Sequence, residues 1–229
     1  MRLVMLDTET TGLKVEEGHR LIEIGCVECV DRRATDREFH VYINPEREVE
    51  EGAYQVHGMS WDDLKDKPLF ADVVDNFLAF IKDAHVVIHN AEFDIGFIDA
   101  ELRRAKREPF ARHAAKITDS LGFARELHPG QRNSLDALCQ RYAISNEHRT
   151  QHGALLDARL LTDVYLAMTR GQDSLAIHDP DDSLASRVIA PELSSRLVVR
   201  RATAEERAAH EQVLRDIDKV CKTGALWPH

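Results

Sequence analysis

The sequence predicts a mixed α/β domain with an appended C-terminal element. Three observations carry this. Strand-like apolar runs crowd the N-terminal part. Strands then alternate with amphipathic helices to about residue 170. After Gly171 the texture changes, before a last helical stretch. Leading strands followed by alternation point to a sheet of mixed direction flanked by helices.

The elements follow in order. "LVMLD", residues 3–7, reads as a short buried strand. "HRLIEIGCVECVD" and "REFHVYINP" read as two more around a turn at Asp31–Asp36, which together make an antiparallel meander. Ser60, with Asp63 three residues on, is a capping signal for the helical turn "SWDDL". Phe70 to Ile81 is apolar at 70, 73, 74, 77, 78 and 81, one face of a helix. "HVVIHN" is a buried strand, and Asn90 stands as the cap of a following helix whose Phe93, Phe97, Ile98 and Leu102 face inward. "KITDSL" is a strand leading into a helix, Ser134 caps "SLDALCQRYAI", and "GALLDARLLTDVYLAMT" is a long helix that closes a domain at residues 1–170. Residues 171–195 read as a flexible linker, with two prolines, acids, serines and weak periodicity. Residues 196–229 form a docking segment: a strand-like "LVV", a capping box of Thr203 and Glu206, then a helix. That helix carries Ala209, Val213, Ile217, Val220 and Cys221 on one stripe and stops at Gly224.

The chain has 229 residues, 43% of them hydrophobic, enough for a substantial core. Its net charge is -10 and its pI about 5.6. That argues against gripping nucleic acid by counterion release alone, but not against reaching phosphates through bound metal ions. Mean hydropathy is -0.38, and no apolar run approaches the roughly 18 residues of a membrane span. Asp7 and Glu9 interrupt any signal-peptide core, so a cytoplasmic protein is expected. Cys26 and Cys29 have metal-like spacing, but residues three apart on a strand face opposite sides, which predicts ordinary thiols and no zinc.

Four carboxylates and a histidine stand out. Asp7 and Glu9 are two apart on a strand and project from one face, their Cα atoms about 6–7 Å apart. Such a pair suits hard divalent cations, although taken alone it is more readily a pair of solvent-facing acids at a strand terminus. Thr10, Thr11 and Gly12 then turn the chain. Asp94 falls in the first turn of a helix, where the dipole favours a carboxylate, so capping explains it equally well. Asp157 sits among Leu155, Leu156, Leu160 and Leu161, where a carboxylate must face a cleft or solvent. His152 precedes that helix, and the ordinary histidine pKa near 6.5 makes the residue type a usable proton acceptor. No phosphate-binding GxxxxGK[ST] loop, HExxH or GxSxG occurs.

Taken together, "DTETTG", "IEIGCVE", "VHG", "VIHNAEFDIGF", "TDSL", "RNSLDALC" and "HGALLDARLLTDVYLAMTRGQ" resemble the DEDDh family of 3'→5' exonucleases. Within it they look like the epsilon proofreading subunits of bacterial DNA polymerase III. The resemblance is dense over residues 1–177. It implies a ribonuclease H-like fold and removal of misincorporated nucleotides at a DNA primer 3' end. It makes Asp7, Glu9, Asp94 and Asp157 ligands of two divalent ions, magnesium or manganese, that clamp the scissile phosphate. It makes His152 the general base on the attacking water, with a 5'-mononucleotide leaving. Substrate contacts are implied at Asp7, Glu9, Thr10, His57 and Asp157; Gly52 stands where some relatives carry a glutamate. It also implies partners. Gln172, Leu175 and Ile177 in "QDSLAI" resemble a sliding-clamp peptide, and the C-terminal segment with Trp227 is expected to dock on the polymerase alpha subunit. Some relatives bind a further small accessory subunit; no membrane is implied. A tether suits an acidic nuclease because it raises effective concentration at the primer end. An RNA-trimming exonuclease would use the same catalytic residues, and only the C-terminal segment favours the polymerase-bound reading. A subunit that keeps the fold without catalysis is disfavoured because all five catalytic positions are occupied as the family pattern requires.

Overall fold

Five strands form one sheet in the order β3-β2-β1-β4-β5: β1 Arg2–Thr10, β2 Leu21–Val30, β3 Arg33–Tyr42, β4 His85–Ile88 and β5 Lys116–Asp119. The computed structural model describes residues 1–146, 151–170 and 202–220. β1 pairs antiparallel with β2, and β2 with β3, which is the expected meander; β1–β4 and β4–β5 are parallel. β1 is therefore central, and it is longer than the predicted 3–7. Asp7 and Glu9 both lie within its ladder, opposite Gly25 and Glu23.

The β2–β3 turn is tighter than Asp31–Asp36. Asp31 and Arg32 alone make it, with φ of 48° and 64°, and Arg33 already pairs with Val30. A two-residue turn that matches the strand twist needs positive φ at both positions.

Among the described residues seven α-helices accompany the sheet: α1 Glu51–His57, α2 Trp61–Leu64, α3 Phe70–Ile81, α4 Ala91–Arg104, α5 Ser120–Leu127, α6 Leu135–Arg141 and α7 Ala154–Met168. The capping signals hold. The Ser60 backbone N–H donates to Asp63 Oδ2 at 2.9 Å, and the Ala137 N–H donates to Ser134 Oγ at 3.3 Å. Asn90 does not cap with its side chain; it adopts the left-handed conformation, φ 69°. Asp119 takes that role instead. Its Oδ1 accepts from the backbone N–H of Asn90 (3.0 Å), Ala91 (3.4 Å) and Leu121 (3.0 Å), serving the starts of α4 and α5 together. Phe93 is half-buried, less inward than expected.

Alternation along β1 feeds two cores. Val4 and Leu6 join Val74, Phe77, Ile81, Phe97 and Ile98 under α3 and α4. Leu3 and Met5 join Leu138, Leu160, Leu161 and Val164 under α6 and α7. Each fully buried Leu, Ile or Phe contributes about 1.5–3 kcal/mol. Cys26 and Cys29 fall in different cores, as residues three apart on a strand must.

A helix over Ala204–Val220, α8, belongs to a second unit. The Thr203 N–H donates to Glu206 Oε2 at 2.7 Å and the Glu206 N–H to Thr203 Oγ1 at 3.2 Å, the predicted capping box. On the expected stripe Val213 and Ile217 are exposed, whereas Leu214 is buried. Gln172, Leu175, Ile177, Cys221, Gly224, Trp227 and the strand-like "LVV" lie outside the described residues. Among the described residues no helix is long and apolar enough to cross a membrane.

Candidate active site

The period of β1 puts Asp7 and Glu9 on the face of Leu3 and Met5, the face that α7 covers, and turns Thr8 toward α4. The β1–β2 register shifts between Glu9 and Thr10, an irregularity of the kind that re-aims side chains beside functional sites.

On α7, Asp157 continues the core-facing stripe of Leu160, Leu161 and Val164 by one turn toward the N-terminus, and it is 3% exposed. A carboxylate in a first turn is favoured by the helix dipole. Two residues of β2 set the position of this helix. At Gly25 a Cβ would fall 2.2 Å from Leu155 N and 2.3 Å from the Ala154 carbonyl carbon, so only glycine lets α7 lie this close. Glu23, also buried, accepts the Ala154 N–H on Oε2 at 3.1 Å, while Oε1 lies 2.7 Å from His40 Nε2. It supplies the cap that Gly153, lacking a side chain, does not. His152 Nδ1 lies 3.3 Å from Asp157 Oδ2. The ligand atoms of Glu9, His152 and Asp157 all fall within 4.8 Å of one another. Asp7 lines the same cleft as His152 and Asp157.

Asp94, on α4, lies on the face of the sheet to which Thr8 points. Thr8 Oγ1 donates to Asp94 Oδ1 at 2.7 Å, so this carboxylate is tied to the residue between Asp7 and Glu9. Burial pushes the Asp94 carboxyl up to about 7, against the downward pull of the Thr8 hydroxyl. The donor set is rich in carboxylate oxygen, the chemistry that suits hard divalent cations.

His57 closes α1 beside a second cavity of about 390 Å³, shared with Glu9, Thr10, Val56 and Phe93. Its Nδ1 accepts the Met59 N–H at 3.1 Å. Among the described residues its buried Nε2 has no hydrogen-bond partner. Burial lowers its pKa, opposed by the Thr10 backbone. The Thr10 hydroxyl is engaged with the Gly12 carbonyl at 2.7 Å, so its own contribution to the cavity is backbone and methyl. Gly52 lines the cavity too, with nothing within 4 Å of where a Cβ would stand.

Sequence reasoning missed α1 and four supporting residues. α1 buries only His57 and has no side-chain cap at Glu50, so neither stripe nor cap announces it. Glu23 and Thr8 are polar residues inside apolar strands, which is itself a signal that each has a fixed partner. Asp119 ends a strand directly before a helix. His19 is 1% exposed; Nδ1 is 3.0 Å from Thr11 Oγ1 and Nε2 3.1 Å from Glu50 Oε1. Its ring occupies the space a side chain at Gly12 would need, 2.4 Å from a Cβ there.

Residues 4–165 match the family model described as Exonuclease. The DNA polymerase III subunit epsilon of Salmonella typhimurium is 50% identical over 240 residues, covering 99% of this chain and 97% of that one. The Escherichia coli K12 subunit is 49% identical with the same coverage. That of Rickettsia prowazekii is 44% identical over 225 residues, covering 96% and 97%. Among solved structures, Escherichia coli exonuclease I with a dT13 oligonucleotide aligns at TM-score 0.66 and 17% identity, covering 76% of this chain and 42% of that one. Exonuclease X in complex with 5' overhanging duplex DNA aligns at TM-score 0.56 and 23% identity, covering 72% and 90%; both show the shared fold, α/β and ribonuclease H-like. With these matches and the convergence of Glu9, His152 and Asp157, the chain belongs to the exonuclease family and, within it, to the DNA polymerase III epsilon subunits, a 3'→5' exonuclease acting on DNA.

Proposed function

We propose that Asp7, Glu9, Asp94 and Asp157 hold two divalent cations, magnesium or manganese, and that His152 is the general base of phosphodiester hydrolysis at a DNA 3' end. Bound there, the cations would neutralise the acidic cluster and supply Lewis-acid and water-activating chemistry. The observation that carries this reading is the meeting of Glu9, His152 and Asp157 ligand atoms within 4.8 Å, beside the Thr8–Asp94 bond. Residues from β1, from α7 and from just before α7 meet there; solvent-facing acids need no such convergence.

The chain's own residues divide the work. Asp157 Oδ2, 3.3 Å from His152 Nδ1, orients the imidazole; a proton held at Nδ1 leaves the basic lone pair on Nε2 for the attacking water. His152 is 44% exposed, so the proton it takes has a path to solvent. The His152 backbone N–H donates to the Val56 carbonyl at 3.1 Å, which couples the base to α1 and His57. His57 carries a buried Nε2 at the smaller cavity. That cavity, half-enclosed and walled by Val56 and Phe93, fits the terminal nucleoside, with Thr10 and Glu9 at its edge. Magnesium-dependent digestion of a 3'-mispaired primer tests the reading. The wild type releases 5'-mononucleotides, and Asp7→Ala abolishes this. Retained turnover in that variant would reject the ligand role.

The same reading assigns residues 1–170 to the nuclease, 171–195 to a linker and 196–229 to docking on the alpha subunit through the segment that holds Trp227. Gln172, Leu175 and Ile177 are assigned to the sliding clamp. The relatives' identity over nearly the whole chain supports a polymerase partner and a cytoplasmic site of action.

A further inference from the structure

A 3'-exonuclease needs room for one nucleotide on the leaving side and for a strand on the other. The two sides of this site are built differently. Beyond Glu9 and His57 lies the small apolar-walled cavity. Beyond Asp7, His152 and Asp157 lies a polar cleft of about 600 Å³. At Gln131 and Asp136 it joins a further concavity of about 660 Å³ that runs over α6. The joined groove is open, and most of the residues that line it are polar.

Its rim carries cations. Arg125, on α5, lines the near part, and Arg132, in the loop before α6, lines the far part. Both are exposed. In a chain of net charge -10, arginines are readily taken up by carboxylates. Arg2 is held by Glu28, Arg107 by Asp75 and Arg159 by Glu38. Among the described residues neither Arg125 nor Arg132 has an ion-pair or side-chain hydrogen-bond partner. The loop that carries Arg132 is nonetheless fixed. Asn133, 7% exposed, donates from Nδ2 to the carbonyls of His128 (3.2 Å) and Gln131 (3.1 Å). Arg141 donates to Asn133 Oδ1 at 3.0 Å and to the Arg132 carbonyl at 2.8 Å. Asp136 is an acid in the groove, and the Asn146 amide donates to its Oδ1 at 3.1 Å. A guanidinium without a carboxylate partner on a fixed loop is suited to a phosphate, which it can bind through two parallel N–H donors.

We infer that this groove is the path of the single strand on the 5' side of the scissile phosphate, with Arg125 and Arg132 contacting its phosphates. The inference rests on the nuclease reading above and adds to it a strand subsite beyond the metal ligands. It explains how an acidic nuclease holds a frayed end long enough to cut it. The strand-facing cations follow one track, and the excess of acids elsewhere gives no general attraction for duplex.

The test compares two substrates on the full chain with magnesium. One is the 4-nitrophenyl ester of thymidine 5'-monophosphate, which reaches no further than the leaving group. The other is a single-stranded decanucleotide. In the double variant Arg125→Ala with Arg132→Ala, the ratio of kcat/KM for decanucleotide over ester falls roughly tenfold at low salt. The log-log salt dependence of decanucleotide binding becomes shallower by about 0.7 for each phosphate that the variant no longer neutralises. Arg132→Glu lowers the ratio further than Arg132→Ala. A ratio and slope equal to those of the wild type overturn the inference. Equal losses on both substrates also overturn it, because they mean the arginines support the fold and not the strand. Failure of the wild type to hydrolyse either substrate removes the nuclease reading itself, and the strand path with it.

Discussion

Asp94 shows most directly how burial and function oppose each other at one residue. Its folded carboxyl titrates near 7, well above the 3.8 of an ordinary aspartate, because it is buried. The folded state therefore binds this proton more tightly than the unfolded state. Its contribution to stability is full below about pH 4 and is lost as pH rises toward 7. Asp94→Asn removes that loss. In chelator-treated protein, urea unfolding of the variant should match the wild type near pH 4 and exceed it above pH 7 by on the order of 4 kcal/mol. A wild type whose excess instability does not grow between those pH values would contradict the buried-carboxylate account. The metal-supported nuclease activity of the same variant should be lost. At this scale the sequence was informative about acids and silent about their supports. Asp7 and Glu9 are legible because strand geometry alone sends both to one side. Thr8 and Glu23 are not, because their partners, Asp94 and the Ala154 N–H, come from distant parts of the chain.

Helix α7 is the element that assembles the site, and Gly25 is what admits it. Gly25→Ala should push the first turn of α7 off the sheet and displace Asp157 and His152 with it. Overpacking of this kind costs about 1–3 kcal/mol, and an ångström of misplacement at reacting groups can cost roughly 100-fold in rate. The expected result is a lowered urea midpoint with a much larger fractional loss of nuclease activity. An active Gly25→Ala protein would show that α7 sits elsewhere. Elements with a strong period or a local cap, α3, α6 and α7, were readable from sequence. α1 was not, since its exposed turns carry no buried stripe, and its place is set by the Glu50–His19 and Val56–His152 contacts. The Asp31–Arg32 turn escaped as well, because an arginine at positive φ bears no resemblance to the glycine or asparagine that announces such turns.

For the whole molecule, the division of labour is the testable claim. Deleting the residues after 178 should leave nuclease activity intact and abolish binding to the alpha subunit, measured by co-purification and by single-strand digestion side by side. Loss of the nuclease on truncation would contradict separate roles. Gln172→Ala with Leu175→Ala should weaken clamp binding in a titration without altering digestion of free single strands; unchanged affinity would remove that peptide from the account. The family pattern made the overall architecture readable over residues 1–177. It could not foretell that two concavities of unlike polarity would flank the acids, because their walls come from α1, α4, α5 and α6 at once.

Asp119 stands outside the acidic cluster, yet one of its oxygens fastens the opening turns of two helices. Retuning that cluster therefore does not require touching a ligand. Removing the acceptor outright, as Asp119→Ala does, would loosen α4 and α5 as a pair and carry Asp94 out of true. A laboratory seeking a slower or more selective nuclease could begin at the tip of this short edge strand, where a remote screw adjusts the jaws.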